Sequence, residues 1–257
     1  MSMTDLPEVT LSEYDGVRFL HLDTPWVQGA MRIRKPQLIE LDYVQRMLAS
    51  LLWRPSAALG EGRAVQLGLG AGAITRFTLQ ALRLPTTVVE INPAVVAANQ
   101  RWFRLPHDDP GLTVHVGDAG AWLRHAQPAS ATLLHVDLYD HEAAAPVLDD
   151  AGFYADCHAL LAEGGVFSVN LFGRDSSFAA SAERIAAAFG VEHTWRLRAT
   201  REGNTVVIAS RGAPLPDRAE RLARADTIEH RFGALGLPAR KWLRLIRPHL
   251  AEPVAPS

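Results

Sequence analysis

Between an apolar run at 64–67 and a helical segment at about 73–82 the chain reads Gly68-Leu69-Gly70-Ala71-Gly72-Ala73. Glycines at this spacing let a backbone turn tightly and approach a ligand, while the amides that open the following helix face it. The loop begins a regular alternation. Apolar runs at 87–91, 112–116, 133–136 and 165–171 predict strands, with helical segments at about 94–102, 119–125, 149–161 and 178–189. Strands that alternate with helices form a parallel sheet covered on both faces. The predicted class is therefore α/β, with a mostly parallel sheet.

The flanks differ from this pattern. Ahead of it, Val17-Arg18-Phe19-Leu20-His21-Leu22 alternates apolar and polar residues after the turn Asp15-Gly16, which predicts a small N-terminal β-hairpin layer. From Leu41 to Trp53 the apolar residues recur at helical spacing until Pro55 closes the segment. Behind the alternation, runs at 192–198 and 205–210, joined by Glu202-Gly203-Asn204, predict an antiparallel terminal pair. Pro214 and Pro216 then precede a tail with one or two amphipathic helices. The expected organisation is a β layer with a linking helix (1–55), a Rossmann-like domain (56–213) and a helical tail (214–257). A chain of 257 residues fits one such core with decorations.

Composition enters as a set of exclusions. A formal charge of −2 supplies no basic field for a phosphate backbone, and Arg218, Arg221 and Arg224 are interleaved with Asp217, Glu220 and Asp226, so nucleic acid is not expected as a partner. The single Cys157 cannot form an internal disulfide or a cysteine metal cluster. No apolar run reaches the roughly 20 residues that span a bilayer, and Asp5 and Glu8 do not suit an export signal. The expected location is the cytoplasm, with no membrane partner.

The candidate site residues fall at successive strand ends, where open α/β sheets bind ligands. Gly68, Gly70 and Gly72 form the loop. Glu90, 22 positions beyond Gly68, stands where an acid binds ribose hydroxyls. At this point the loop and the acid leave NAD and an adenosylmethionine-type ligand equally open. In Val116-Gly117-Asp118-Ala119 a carboxylate follows the third strand, suited to an adenine amino group, although Asp118 also suits a helix N-cap. The fourth strand runs into Asp137-Leu138-Tyr139-Asp140. Two carboxylates with an aromatic between them can orient a cationic amine and take its proton. His135 reads as a strand residue. His141 and Glu142 complete no ligand set, so no metal is expected.

With these motifs the chain resembles the spermidine synthase-like aminopropyltransferases, over roughly 22–210. The resemblance rests on the glycine loop, Val88-Val89-Glu90-Ile91-Asn92-Pro93, Gly117-Asp118, the Asp137 to Asp140 motif, Phe153-Tyr154 and Leu160-Leu161-Ala162-Glu163-Gly164-Gly165. It implies a small N-terminal β domain on a Rossmann-like, methyltransferase-type domain, and transfer of an aminopropyl group from decarboxylated S-adenosylmethionine to a small amine. It further implies that Gln28, Glu90, Asp118 and Ala119 hold the donor, that Asp137 is the base, and that Tyr139 and Asp140 border the amine. A homodimer is implied in the same way.

Three departures mark the chain as divergent. Ala71 stands where the family's loop usually carries an Asp. Val44-Gln45-Arg46 replaces a Tyr-His-Glu signature, which puts a positive charge where a polycationic substrate would avoid it. Ala143 to Ala145 replaces two prolyl motifs after the catalytic acids. Because Ala71 asks for no loop acid, an S-adenosylmethionine-dependent methyltransferase is the alternative enzyme. A non-catalytic module on a decayed synthase is a third reading, and an oxidoreductase the last.

Overall fold

The expected alternation forms one eight-stranded sheet, and the residues ahead of it form a separate three-stranded one. The computed structural model describes residues 6–138, 148–172 and 176–249. Strands β1 (Val9–Tyr14), β2 (Val17–Leu22) and β3 (Gly29–Arg32) make an antiparallel meander. Its first turn is Asp15-Gly16, and both residues take positive φ, as a two-residue hairpin requires.

Helix α1 (Asp42–Met47) tightens into a 3₁₀ segment at Leu48–Trp53, where the sequence predicts one continuous helix. All six residues of that segment are buried. Helical periodicity describes a helix with one solvent face, and this segment has none.

The main sheet follows, with β4 (Ala64–Leu67), α2 (Ala73–Arg76), β5 (Thr86–Glu90), α3 (Pro93–Trp102), β6 (Leu112–Val116), α4 (Ala119–His125) and β7 (Ala131–Val136). After these come α5 (Ala151–Leu160), β8 (Leu161–Phe172), α6 (Ser176–Phe189), β9 (Thr194–Leu197) and β10 (Asn204–Ser210). The helix starts follow the sequence. Asn92 caps α3 with Pro93 in its first turn, and Asp150 caps α5 by accepting from the amide of Phe153 at 2.9 Å.

With a last short strand β11 (Ile246–Pro248), strand order is β11-β9-β10-β8-β7-β4-β5-β6. From β8 to β6 every pairing is parallel, and β10 pairs antiparallel with β8 and β9, as the terminal pair predicted. The chain runs from β4 outward through β5 to β6, then returns to the other side of β4 as β7. That reversal opens a crevice at the carboxyl ends of β4 and β7, the usual ligand position in such sheets.

The tail departs from expectation in one respect. Helices α7 (Arg218–Phe232) and α8 (Ala239–Trp242) form, and the chain then adds β11 (Ile246–Pro248) to the sheet. Pairing of β11 with β9 covers an edge that would otherwise offer unpaired amides and carbonyls. A three-residue strand ending in proline is too short to leave a period-2 signal.

Two apolar layers sandwich the sheet. One packs α7, α8 and the 3₁₀ segment through Leu48, Leu51, Trp53, Ile228 and Trp242. The other packs α4, α5 and α6 through Leu123, Tyr154, Cys157, Phe167 and Ile185. At about 25 cal/mol per Å² of apolar surface removed from water, each large side chain contributes roughly 1.5–3 kcal/mol. The carboxyl ends of β4 and β7 are thereby held rigidly.

Candidate active site

The glycine loop is fixed by side chains from every neighbouring element. Gln66 Nε2 donates to the carbonyl of Gly68 at 2.7 Å, and Thr75 Oγ1 donates to Gln66 Oε1 at 2.5 Å. Asn99 Nδ2, from α3, donates to the carbonyl of Gly70 at 2.7 Å. Arg76 Nη1 donates to the carbonyls of Ala71 and Phe103 at 2.6 and 2.7 Å, and its Nε to that of Pro36. Arg76 is buried, and desolvation lowers its pKa to about 10, so it keeps its proton at neutral pH.

Glycine is demanded at two of these positions. Gly68 has φ +84°, and a Cβ there would fall onto the carbonyl oxygen of Asp137. Gly72, at φ +66°, starts α2 in the left-handed region. The loop therefore lies against the strand end that carries Asp137.

Asp137 is half-buried and faces a cleft lined by Gln28, Tyr43, Gln66, Gly70, Ala71 and Ala73 among others. Tyr43 Oη, from α1, donates to Asp137 Oδ2 at 3.1 Å, and Asn170 Nδ2, from β8, donates to Oδ1 at 3.0 Å. Burial pushes the Asp137 carboxyl above its usual range, while these two donors pull it back by favouring the charged form. No lysine, arginine or histidine stands among the described residues lining the cleft. The described lining therefore offers one carboxylate to a cationic group and no counter-ion to an anionic one.

Gln28 reaches the same cleft from the N-terminal layer, and its Nε2 is buried without a hydrogen-bond partner among the described residues. Such an orphaned donor costs about 1–3 kcal/mol unless something accepts from it. This fits a polar ligand atom at the position that the resemblance assigns to the donor.

Glu90 ends β5 beside the loop. Its Oε2 accepts from the amide of Leu69 and its Oε1 from that of Asn92, each at 2.9 Å. Burial raises its pKa against these amides. Glu90 thus splints the loop, a task that the sequence did not foretell for it. Asp118 lies at the end of the next strand, exposed, and caps α4 through Oδ1 to the amide of Ala121 at 2.7 Å. The capping reading of Asp118 is realised, and Asp118 also lines a groove with Val116, Gly117 and Trp122. Ala119 turns its side chain into the core, which leaves only its backbone for a ligand. Tyr139, Asp140, His141, Glu142 and Ala143 to Ala145 lie outside the described residues. Among the described residues no group of side chains could hold a metal ion.

Two of the departures now have physical accounts. Ala71 is buried in an apolar cluster with Leu20, Met31 and Phe103, and Gly29 of β3 packs directly on its backbone amide. The N-terminal layer thus packs against the loop at this position, and the small side chain of Ala71 borders both that contact and the cleft. Arg46, expected to repel a polycation, forms an ion pair with Asp42 at 2.7 Å, caps the carbonyl of Arg198 and does not line the cleft. The expected repulsion is corrected: the partner four residues away on the helix absorbs the charge.

Sequence reasoning overlooked Gln66, Asn99, Arg76 and Asn170, and took Tyr43 for a core residue of its helix. A signal for two of them existed. Gln66 and Asn170 are polar residues within buried stretches of β4 and β8 near the loop, and a polar residue buried in a strand needs partners.

No family model matches the chain. It is 31% identical over 230 residues to a polyamine aminopropyltransferase of Chromobacterium violaceum, covering 89% of this chain and 86% of that protein. It is 29% identical over 229 residues to a polyamine aminopropyltransferase of Neisseria meningitidis serogroup A, covering 88% and 85%. Among solved structures, a probable spermidine synthase from Corynebacterium glutamicum superposes with a TM-score of 0.70 at 17% identity, covering 97% and 95%. Human methyltransferase-like protein 13 in complex with SAH superposes at 0.64 with 20% identity, covering 84% and 97%. At those identities the structures establish the fold, a Rossmann-like methyltransferase-type sheet with an added N-terminal layer. Sequence identity of this extent, over nearly the whole length of both proteins, establishes the family: the chain belongs to the polyamine aminopropyltransferases.

Proposed function

We propose that this transferase moves an aminopropyl group from decarboxylated S-adenosylmethionine to a small amine, with Asp137 as the base. The observation that carries the reading is the cleft beside the glycine loop, which holds one half-buried carboxylate and no cation among its described residues. A donor tail ending in an ammonium suits that field, whereas the carboxylate of S-adenosylmethionine would meet Asp137 with no protein cation among the described lining residues beside it.

When bound, the donor supplies an alkyl carbon activated by a positively charged sulfur leaving group. Gln28 and the backbone of Gly68, Gly70 and Gly72 would hold it, with Glu90 and Asp118 toward the ribose and adenine. An alkylammonium has a pKa near 10.4 and lacks a lone pair until it loses a proton. Asp137, with its pKa raised by burial, accepts that proton more readily than an exposed aspartate would. Tyr43 and Asn170 aim the carboxylate by taking one oxygen each. On this reading Tyr139 and Asp140 border the amine. The resemblance extends to a cytoplasmic homodimer.

One observation favours a second reading. Ala71 places an apolar side chain where the family's loop offers an acid to the donor's amine, and methyl transfer from S-adenosylmethionine needs no acid there. Calorimetric titration with decarboxylated S-adenosylmethionine, S-adenosylmethionine, methylthioadenosine and NAD separates them. Aminopropyl transfer predicts tightest binding of the decarboxylated donor. Preference for S-adenosylmethionine would transfer the chain to methyl chemistry, and binding of none would leave a non-catalytic module.

A further inference from the structure

Asp137 is oriented by Asn170, but a carboxamide has two ends and only its NH2 end stabilises a carboxylate. What decides which end faces Asp137 is therefore part of the site. Asn204, the first residue of β10, lies diagonally across the antiparallel β8–β10 pair, where Val206 opposes Asn170. Its Nδ2 donates to Asn170 Oδ1 at 3.1 Å. With its oxygen occupied in this way, Asn170 presents Nδ2 to Asp137 Oδ1 at 3.0 Å.

The Asn204 side chain is not needed to close its hairpin. The amide of Thr200 donates to the carbonyl of Asn204 at 2.8 Å, and the amide of Asn204 donates to Thr200 Oγ1 at 3.2 Å. Backbone groups of Asn204 and the hydroxyl of Thr200 hold the turn; the Asn204 carboxamide adds only a long contact to it, Thr200 Oγ1 donating to Oδ1 at 3.5 Å, and turns its Nδ2 to Asn170.

We propose that Asn204 is a positioning residue, which fixes the sense of the Asn170 carboxamide and thereby holds Asp137 as an oriented carboxylate. The inference rests on the reading of Asp137 as the base. Among the described residues the groups facing Asp137 are Tyr43 from α1, Asn170 from β8 and the backbone of Gly68, which follows β4. On its own strand, His135 is buried against Ser168. The charged residues of α1, Asp42 and Arg46, pair with each other.

The test is an NMR titration of the protein labelled with 13C at aspartate carboxyls, in which the Asp137 signal is the one lost in Asp137→Asn. In Asn204→Asp, residue 204 can only accept, so Asn170 turns its NH2 toward it and its oxygen toward Asp137. The Asp137 midpoint should rise by about one pH unit. Asn204→Ala adds no charge, and freeing the carboxamide should raise the midpoint in the same direction by less. Asn204→Ser serves if the alanine variant fails to fold. Melting temperature is recorded alongside, because a merely structural residue would lower it and leave the midpoint in place.

An unchanged midpoint in both variants overturns the proposal. So does a rise confined to Asn204→Asp, which the added charge alone would explain. The titration requires no turnover, so an enzyme that fails to release methylthioadenosine would sink the proposed reaction without affecting this result.

Discussion

Restoring the family's loop acid through Ala71→Asp should damage this protein rather than improve it. Ala71 is 3% exposed, and its side chain packs with Leu20, Met31 and Phe103. Ala71 also borders the cleft that holds Asp137, so the new carboxyl would lie beside another carboxylate with no cation among the described lining residues to pair with it. A carboxyl buried without a partner has its pKa raised by about 3–5 units. At about 1.4 kcal/mol for each pH unit between the unfolded value of about 3.9 and pH 7, the variant loses about 4 kcal/mol at neutral pH. Whole domains are stable by about 5–15 kcal/mol, so this is a large fraction. For a chain of this size the melting temperature should fall by roughly 8–16 °C.

The pH dependence identifies the cause. The raised folded pKa means that the folded state keeps a proton that the unfolded state has released, so stability falls as pH rises above about 3.9. Urea denaturation should show the deficit against wild type shrinking to about 1.5 kcal/mol at pH 5. A variant as stable as wild type at pH 8, or one that binds the decarboxylated donor more tightly, would refute the apolar account of Ala71.

Other consequences are simpler. Asp137→Asn should lower turnover by about 10²–10⁴-fold while methylthioadenosine affinity, read by calorimetry, stays near that of wild type. Tyr43→Phe removes a donor that favours the Asp137 carboxylate, so the acid limb of the kcat/KM profile should move to higher pH. His135 is fully buried and its pKa is lowered to about 4, so it is neutral in the fold. The unfolded chain takes up that proton first, so stability should fall by about 3 kcal/mol as pH drops from 7 toward 4. His135→Gln should flatten that part of a chemical-denaturation series.

The legible part of this protein was the part written in periodicity and glycine. Strand–helix alternation and the 68–72 loop placed β4 to β8, and the terminal hairpin was visible in Glu202-Gly203-Asn204. Less legible was anything that depends on which segments come to lie together. Nothing in Glu90 itself says that its oxygens will splint Leu69 and Asn92, since that follows from β5 ending beside the loop. Arg46 read as a free charge because its neutralisation requires both Asp42 and the end of β9. Tyr43 carried two meanings, apolar periodicity and a hydroxyl, and only the fold shows that the hydroxyl meets Asp137 across 94 residues. β11 was invisible because tertiary pairing, not propensity, makes three residues a strand.

Asp137, in a cleft with no cation among its described lining residues, is proposed to serve aminopropyl transfer to an amine. The most direct test is to incubate the purified protein with decarboxylated S-adenosylmethionine and a panel of small diamines, and to measure methylthioadenosine release for wild type and Asp137→Asn. The account predicts amine-dependent release by wild type and near-complete loss in the variant. Amine-dependent release that survives Asp137→Asn, or release of S-adenosylhomocysteine from S-adenosylmethionine instead, would contradict it.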